Sequence, residues 1–161
     1  MITIILTFRN RDISLVTRCL ESLKNQTNKE FEVVLVEYGS KAKINELVQA
    51  YTFVKLIRCN TEQQLWCKSR AINIVLKNCK TPFFFVGDMD MIFHPNFVEI
   101  LQNLKLNQEA IYFQVGFLNE AESKKDIPFH EYLINFKSNE EATGMTLFNT
   151  EVLKSIHGYD E

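Results

Sequence analysis

The sequence has 161 residues, which at about 150 residues per domain predicts a single domain. The 18 Lys and Arg residues are nearly balanced by 20 Asp and Glu residues, so the net charge of −2 argues against a general nucleic-acid binder. Hydrophobic residues make up 46% of the chain, and with only 5 Gly and 3 Pro the collagen-like and disordered classes are excluded.

Apolar runs of strand length alternate with segments of helical periodicity in the first two thirds of the chain. The strand-like runs are 2–8, 31–36, 53–57 and 82–86, and the helix-like segments are 13–26, 42–51, 66–79 and 95–106. The first helix begins after Asp12, a residue type that caps helices, and its apolar residues recur every three or four positions. This order, with continuously apolar strands, predicts an α/β fold whose mostly parallel sheet is covered by helices on both faces.

The pattern loosens after residue 106. We expect strands over Ala110 to Phe117 and Met145 to Phe148, and a polar loop over Asn119 to Asp126. No internal repeat, low-complexity tract or clear linker is evident, so a single domain over 1–161 remains the prediction.

The sequence also bears on where the protein resides. The apolar start of the chain precedes Arg9 and Arg11, whereas a signal peptide carries its charge before its apolar segment. The apolar runs fall short of the roughly 18 residues of a membrane span. The four cysteines form no C-x-x-C pair, which predicts free thiols rather than zinc or a disulfide framework. We therefore expect a cytoplasmic protein. A peripheral association with a membrane-bound assembly, at the cytoplasmic face of the inner membrane, stays open as an alternative.

Polar residues follow three of the four predicted strands, namely in the segments Thr7–Arg11, Glu37–Ser40 and Gly87–Asp90. In an open α/β sheet, ligands bind beyond the carboxyl ends of the strands, so we expect the functional site at this edge. The G-x-G-x-x-G fingerprint and the P-loop motif are both missing. Any phosphate must therefore be held by something other than a glycine-rich loop.

Asp88 and Asp90 form a D-x-D pair at the end of the fourth predicted strand. Carboxylate oxygens are suited to Mg²⁺ or Mn²⁺, whose remaining ligands can be phosphate oxygens. Such an ion would neutralise the charge that develops on a departing diphosphate. The alternative is that both carboxylates are merely solvated residues of a turn.

Six segments, in chain order, resemble family 2 glycosyltransferases of the GT-A fold, including chondroitin-polymerase-like and galactosyltransferase-like members. They are the opening strand Ile4–Arg11, the helix Cys19–Thr27, the strand and turn Phe31–Ser40, the helix Ser69–Asn73, the D-x-D segment Gly87–Phe93 with Pro95, and Gly144–Phe148 with His157–Glu161. The resemblance covers essentially the whole chain. It implies a Rossmann-like nucleotide-diphospho-sugar transferase fold, with residues 1–93 as the donor-binding half and 94–161 as the start of an incomplete, acceptor-side half.

The resemblance also implies roles for particular residues. The nucleotide-sugar donor, a UDP-sugar by this comparison, would be bound by Thr7, Arg9, Arg11, Glu37, Tyr38, Arg70, Asp88 and Met89. The cofactor would be Mn²⁺ or Mg²⁺, held by Asp90 and Asp88. Two positions depart from the family pattern, because Tyr38 replaces an acid that faces the base and Ile72 replaces an arginine. Arg70 or Lys68 would then supply the cation toward the diphosphate.

Two neighbours of these positions carry structural predictions. Asn73 is polar on a mostly apolar helix, and we expect it to hydrogen-bond to the D-x-D loop. Trp66 precedes that helix, and we expect it to anchor packing, with a place in the lining of the site as the alternative.

The implied activity is an inverting transfer of the sugar to a glycan or other acceptor, in which a carboxylate deprotonates the acceptor hydroxyl. Asp160 and Glu161 are the only nearby candidates for this base, and in the resembled members the base lies at or beyond this segment. The alternative function is therefore a nucleotide-sugar-binding module without turnover. A receiver-like domain is disfavoured, because the third strand ends in Arg58-Cys59-Asn60 with no acceptor aspartate.

Overall fold

The computed structural model describes residues 1–41, 44–104, 110–139 and 144–161. A six-stranded sheet forms its centre, and its strands in chain order are β1 (Ile2–Phe8), β2 (Phe31–Tyr38), β3 (Val54–Cys59), β4 (Phe83–Asp88), β5 (Ala110–Tyr112) and, after a separate pair, β8 (Thr146–Asn149). Their spatial order is β3-β2-β1-β4-β8-β5. The first four are parallel, whereas β8 runs antiparallel to both of its neighbours. The predicted mostly parallel sheet is confirmed.

Helices cover both faces of this sheet, as predicted. They are α1 (Ile13–Lys24), α2 (Asn45–Gln49), α3 (Lys68–Leu76), α4 (Phe97–Asn103), α5 (Glu120–Ser123), α6 (Phe129–Asn135) and α7 (Thr150–Ser155). Apolar residues of α1, α2 and α4 share one core cluster with Ile4 and Leu6 of β1. Apolar residues of α3 and α7 share a second core cluster with Ile5 of β1. Because both faces of β1 are covered, all seven of its residues are buried, which explains its continuously apolar sequence.

The D-x-D segment rests on a cluster of phenylalanines. The ring of Phe85 in β4 lies 5.0 Å from that of Phe97 and 6.2 Å from that of Phe93, both in edge-to-face geometry. The backbone N–H of Phe93 also donates to Ser22 Oγ of α1 at 3.1 Å. These contacts fix the path of the chain immediately after β4.

The amino end of α1 follows the prediction. Asp12 Oδ1 accepts a hydrogen bond from the backbone N–H of Ser14 at 2.8 Å, so Asp12 is the N-cap. Residues 42 and 43 of the second predicted helix and 105 and 106 of the fourth lie outside the described residues, and both described helices are shorter than predicted.

The second half of the chain departs from the prediction. The expected strand over 110–117 is two strands in different sheets, since β6 (Val115–Phe117) pairs with β7 (Lys137–Asn139) in a separate two-stranded sheet. The expected loop over 119–126 contains α5, and α7 was not predicted. Both helices are too short to show the periodicity of apolar residues that predicts a helix. The sequence marks them only by their N-cap residues, Asn119 and Asn149. Among the described residues, none of the helices is long and apolar enough to span a bilayer.

Candidate functional site

A cleft of about 470 Å³ opens at the carboxyl edge of the sheet, where β1 and β4 lie side by side. The chain leaves β1 toward β2 on one side and later places β4 on the other, so this is the topological switch point. Thr7 and Asp88 are direct partners in the β1–β4 register. The lining residues are Thr7, Arg9, Asn10, Arg11, Trp66, Lys68, Asp88, Met89 and Asp90. Six of the residues predicted for donor or metal binding are therefore brought together around one cavity.

The D-x-D pair presents both of its carboxylates to this cleft. Met89, between them, is only 2% exposed and packs in the core cluster beneath. Asp88 Oδ1 contacts Lys68 Nζ, and Asp90 Oδ2 lies 3.4 Å from Arg11 Nη2. Each carboxylate therefore has a cation of this chain beside it.

Positive charge dominates the lining of the cleft. Arg9, Arg11 and Lys68 carry three positive charges against the two negative charges of Asp88 and Asp90, which leaves an excess of one. Arg9 Nη2 donates to the carbonyl oxygen of Gln64 at 2.9 Å, whereas its Nη1 is buried without a hydrogen-bond partner in the described part of the chain. A buried donor of this kind is costly unless an acceptor reaches it, so the cleft favours an anionic or acceptor-rich ligand.

Asp88 is covered on one side by the chain that enters β8. A Cβ atom added to Gly144 would lie 3.0 Å from Asp88 Oδ2 and 3.8 Å from Lys68 Nζ. Gly144 takes part in the family resemblance, but its place beside Asp88 follows from the antiparallel pairing of β8 with β4, which no local sequence pattern indicates.

The loop between β3 and α3 carries Trp66 to the cleft. Gly39, at φ +71°, lets this loop pass close to the end of β2, since a Cβ atom there would lie 2.5 Å from the carbonyl oxygen of Thr61. Tyr38 supports the loop from below, because its hydroxyl donates to Gln64 Oε1 at 3.3 Å and its ring meets that of Trp66 edge-on at 5.7 Å. Trp66 therefore both packs and lines the cleft.

Three residues predicted to bind the donor lie outside the lining of the cleft. Tyr38 is fully buried beneath the loop, and the guanidinium of Arg70 is bound by Glu161 and by Tyr38. Glu37 is fully buried on the other face of the sheet, 3.5 Å from Arg58 Nη2. Neither of its carboxylate oxygens has a hydrogen-bond partner in the described part of the chain, and burial raises its pKa. Contacts of these residues with the nucleotide stay predictions.

The segment 159–161 is held against α3. Asn73 Nδ2 donates to the carbonyl oxygen of Tyr159 at 2.8 Å and to Glu161 Oε1 at 3.1 Å, while its Oδ1 accepts from the backbone N–H of Tyr159 at 3.0 Å. Arg70 Nε donates to Glu161 Oε2 at 3.1 Å. The hydrogen bonds from Asn73 and then Arg70 lower the pKa of Glu161.

The expectation that Asn73 hydrogen-bonds to the D-x-D loop is therefore wrong. Gly158, at φ +81°, brings the returning chain so close that a Cβ atom there would lie 2.3 Å from Asn73 Oδ1. This return follows α7, a helix that the sequence pattern did not reveal. The partner of Asn73 could not be found without it.

The two carboxylates of the cleft suit a divalent cation that binds together with phosphate. Among the described residues, His, Cys, Asp and Glu form no group of three or more that could hold a metal ion. Asp88 and Asp90 would supply hard oxygen ligands to such an ion, and phosphate oxygens and water would be its other ligands. The residues thus suit Mg²⁺ or Mn²⁺ as a partner of a bound diphosphate rather than as a permanently enclosed ion.

The chain is similar to known proteins in sequence. The sequence model of the family described as "Glycosyl transferase family 2" matches residues 3–155. The teichoic acid poly(glycerol phosphate) polymerase of Staphylococcus epidermidis is 33% identical over 93 residues, which are 55% of this chain and 12% of that protein.

Two solved structures share the fold. Residues 1–349 of S. aureus TarS superpose with a TM-score of 0.73 at 18% identity, covering 96% of this chain and 48% of that one. The mannosyltransferase PcManGT of Pyrobaculum calidifontis, solved with GDP-Man and Mn²⁺, has a TM-score of 0.67 at 16% identity, covering 99% of this chain and 47% of that one. TarS has also been solved with UDP and with UDP-GlcNAc. The chain thus spans about half the length of these structures, and its mixed sheet matches their nucleotide-diphospho-sugar transferase fold.

Proposed function

The chain belongs to glycosyl transferase family 2, and on that premise we propose that its cleft binds a nucleoside diphosphate sugar together with Mn²⁺ or Mg²⁺. The observation that carries the proposal is the position of Asp88 and Asp90. Both carboxylates face a cation-lined cavity of about 470 Å³ at the switch point of the sheet. A diphosphate and a divalent cation are the pair of ligands that this mixture of charges would accommodate.

The phosphates would be bound by side chains and by a helix end. Arg9, Arg11 and Lys68 supply positive charge, and Lys68 is the first residue of α3. In the described contacts no side chain caps this helix end, where unpaired N–H groups and the helix dipole favour an anion. Trp66, 42% exposed, offers a flat apolar surface to the rest of the donor.

Asp90 and Asp88 would hold the divalent cation. When bound, Mn²⁺ or Mg²⁺ supplies the positive charge that stabilises a departing diphosphate. Asp88 would act from the rigid end of β4, while Asp90 follows the buried anchor Met89. The two carboxylates are therefore directed into the cleft by residues that are themselves fixed.

We further propose that the donor is a UDP-sugar and the acceptor a hydroxyl of a glycan or cell-envelope polymer. The fold neighbour TarS has been solved with UDP and UDP-GlcNAc, and the partial relative from S. epidermidis is named as a polymerase of teichoic acid. PcManGT was solved with GDP-Man, so the fold alone leaves the base open. A test of the donor must therefore compare several nucleotides.

The second candidate function is donor binding without transfer. The observation that favours it is the arrangement around Glu161, whose carboxylate is bound by Asn73 and Arg70 and whose pKa is lowered. A lowered pKa makes a carboxylate a weaker general base. Asp160 is exposed and remains the other predicted candidate. An assay of nucleotide release, with and without acceptor, separates binding from turnover.

Thermal unfolding tests the donor-binding proposal. UDP at about 100 times its Kd should stabilise the protein by about 2.7 kcal/mol in the presence of Mn²⁺, which raises the melting temperature by about 5–10 °C. GDP and CDP are measured alongside. Asp90→Asn removes a carboxylate charge and should abolish the Mn²⁺-dependent part of the shift, whereas Asp126→Asn, at an exposed site elsewhere, should not. An equal shift without metal, or an unchanged shift in Asp90→Asn, would contradict the proposal.

A further inference from the structure

We propose that Lys68, assisted by Arg11, makes the binding of the divalent cation and of the diphosphate depend on each other. Without ligands Lys68 occupies Asp88, and when both ligands arrive it moves from Asp88 to the phosphates. This inference rests on the proposed function of the cleft. Beyond the contact with the phosphates, it assigns to Lys68 the coupling between the two ligands.

One oxygen of Asp88 is paired with Lys68 before any ligand arrives, and the chain passes close to the other. Oδ1 contacts Lys68 Nζ, and Oδ2 faces the backbone at Gly144, where an added Cβ atom would lie 3.0 Å away. A cation that enters alone therefore competes with Lys68 for the carboxylate of Asp88, since the chain at Gly144 narrows the approach to the other oxygen. Asp88 and Lys68 are 39% and 32% exposed, so this pair is partly screened from solvent.

The charges explain why one ligand alone is disfavoured. A divalent cation that displaces Lys68 leaves the ammonium group unpaired beside Arg9, Arg11 and the new ion. A diphosphate that attracts Lys68 leaves the carboxylate of Asp88 unpaired beside the phosphates. When both are present, the cation pairs with Asp88 and Lys68 pairs with the phosphates. Each ligand that binds alone must supply the free energy to break the ion pair, whereas two ligands that bind together break it only once. This difference is the coupling free energy between the two ligands.

Arg11 repeats the arrangement at the second carboxylate in a weaker form. Its Nη2 lies 3.4 Å from Asp90 Oδ2, and its side chain is 57% exposed. Exposed ion pairs contribute little, because solvent screens them and both side chains lose freedom. We therefore expect Lys68 to account for most of the coupling, and we choose it for the test.

The experiment measures the Kd of Mn²⁺, by the electron paramagnetic resonance signal of the free ion, with and without saturating UDP. The coupling factor is the ratio of these two constants. In Lys68→Met, Mn²⁺ alone should bind about fivefold more tightly and the coupling factor should fall about fivefold, the upper range for a partly exposed ion pair. Lys68→Arg keeps the charge and should retain the coupling factor within about twofold. The matched control is Lys55→Met, which removes a lysine from a different ion pair, 3.3 Å from Glu32.

Two results would overturn the inference. One is a folded Lys68→Met protein that binds Mn²⁺ alone no more tightly than the wild type, and the other is an unchanged coupling factor. If UDP, GDP and CDP all fail to bind the wild type, the proposed function fails and the coupling fails with it, while the Mn²⁺ titration without nucleotide still decides whether Lys68 competes with the cation for Asp88. If a nucleotide binds with Mn²⁺ but Lys68→Met behaves as the wild type, only this inference is lost. Circular dichroism and the melting temperature establish that each variant is folded.

Discussion

Asn73 connects α3 to the segment that follows α7, and its replacement by alanine should release that segment. The side chain makes two hydrogen bonds with the backbone of Tyr159, at 2.8 and 3.0 Å, and a third with Glu161 at 3.1 Å. Asn73 is 6% exposed, so water reaches its partners poorly while the segment is docked. In Asn73→Ala the backbone N–H and carbonyl groups of Tyr159 lose their partners, and the segment must open to hydrate them.

The size of the effect follows from these bonds. Each backbone hydrogen bond contributes about 1 kcal/mol, and the bond to the half-exposed Glu161 contributes less, so local opening becomes easier by about 2 kcal/mol, which is roughly a 30-fold change in its equilibrium. Tyr159 also packs edge-on against Phe148, with ring centroids 5.9 Å apart. This contact is unaltered in the variant, so we expect local opening rather than unfolding of the sheet.

Amide hydrogen exchange read at Tyr159 is the direct assay. Its exchange rate should rise by about 30-fold in Asn73→Ala, while amides of the central strands β1 and β4 should keep their protection. Asn78→Ala, at an exposed position just beyond the same helix, is the matched control and should exchange as the wild type does. Exchange at Tyr159 within about twofold of the wild type would refute the reasoning, because the three bonds would then contribute almost nothing.

Two further predictions concern Glu37 and Gly144. Glu37→Gln should raise the melting temperature at pH 7–8, because burial raises the pKa of Glu37 and the folded wild type must hold a buried charge there. This gain in melting temperature should vanish as the pH falls to about 4, since the carboxyl group of the wild type then becomes protonated. A gain that grew on acidification would contradict the prediction. Gly144→Ala should weaken Mn²⁺-dependent nucleotide binding about tenfold, because the added Cβ atom would press on Asp88 Oδ2. The free energy of unfolding should change little. Nucleotide binding equal to that of the wild type would contradict this prediction and show that the carboxylate has room to move.

The four parallel strands β1 to β4 could be predicted from the sequence because their signals are local. Continuously apolar strands, and polar residues at the ends of β1 and β4, follow directly from a parallel sheet that is covered on both faces. In a parallel sheet those strand ends must share one edge. The residues Arg9, Arg11, Asp88 and Asp90 therefore meet at one cleft, as predicted.

The contacts that the sequence did not reveal depend on distant segments. The pairing of Asp88 with Lys68 needs the start of α3 to reach the end of β4, and the place of Gly144 needs β8 to run antiparallel beside it. Asn73 was assigned the wrong partner for the same reason, since its true partners are 86 or more positions away. Tyr38 shows a third limit, because a strand-end residue can be covered by a loop whose path depends on a single glycine, Gly39.

Met89 links the chemistry of the cleft to the packing of the core. Because it is 2% exposed and shares a core cluster with Phe85, Phe93 and the apolar face of α1, the spacing of the two flanking carboxylates is set from within the protein. The positions of the two carboxylates are thus preorganised by the core, and the reorganisation proposed for ligand binding is confined to the side chain of Lys68 and its neighbour Arg11. If the proposed cation binds here, its affinity would also report on core packing, so a volume change at a half-buried residue such as Phe97 would alter the binding of an ion that does not contact it.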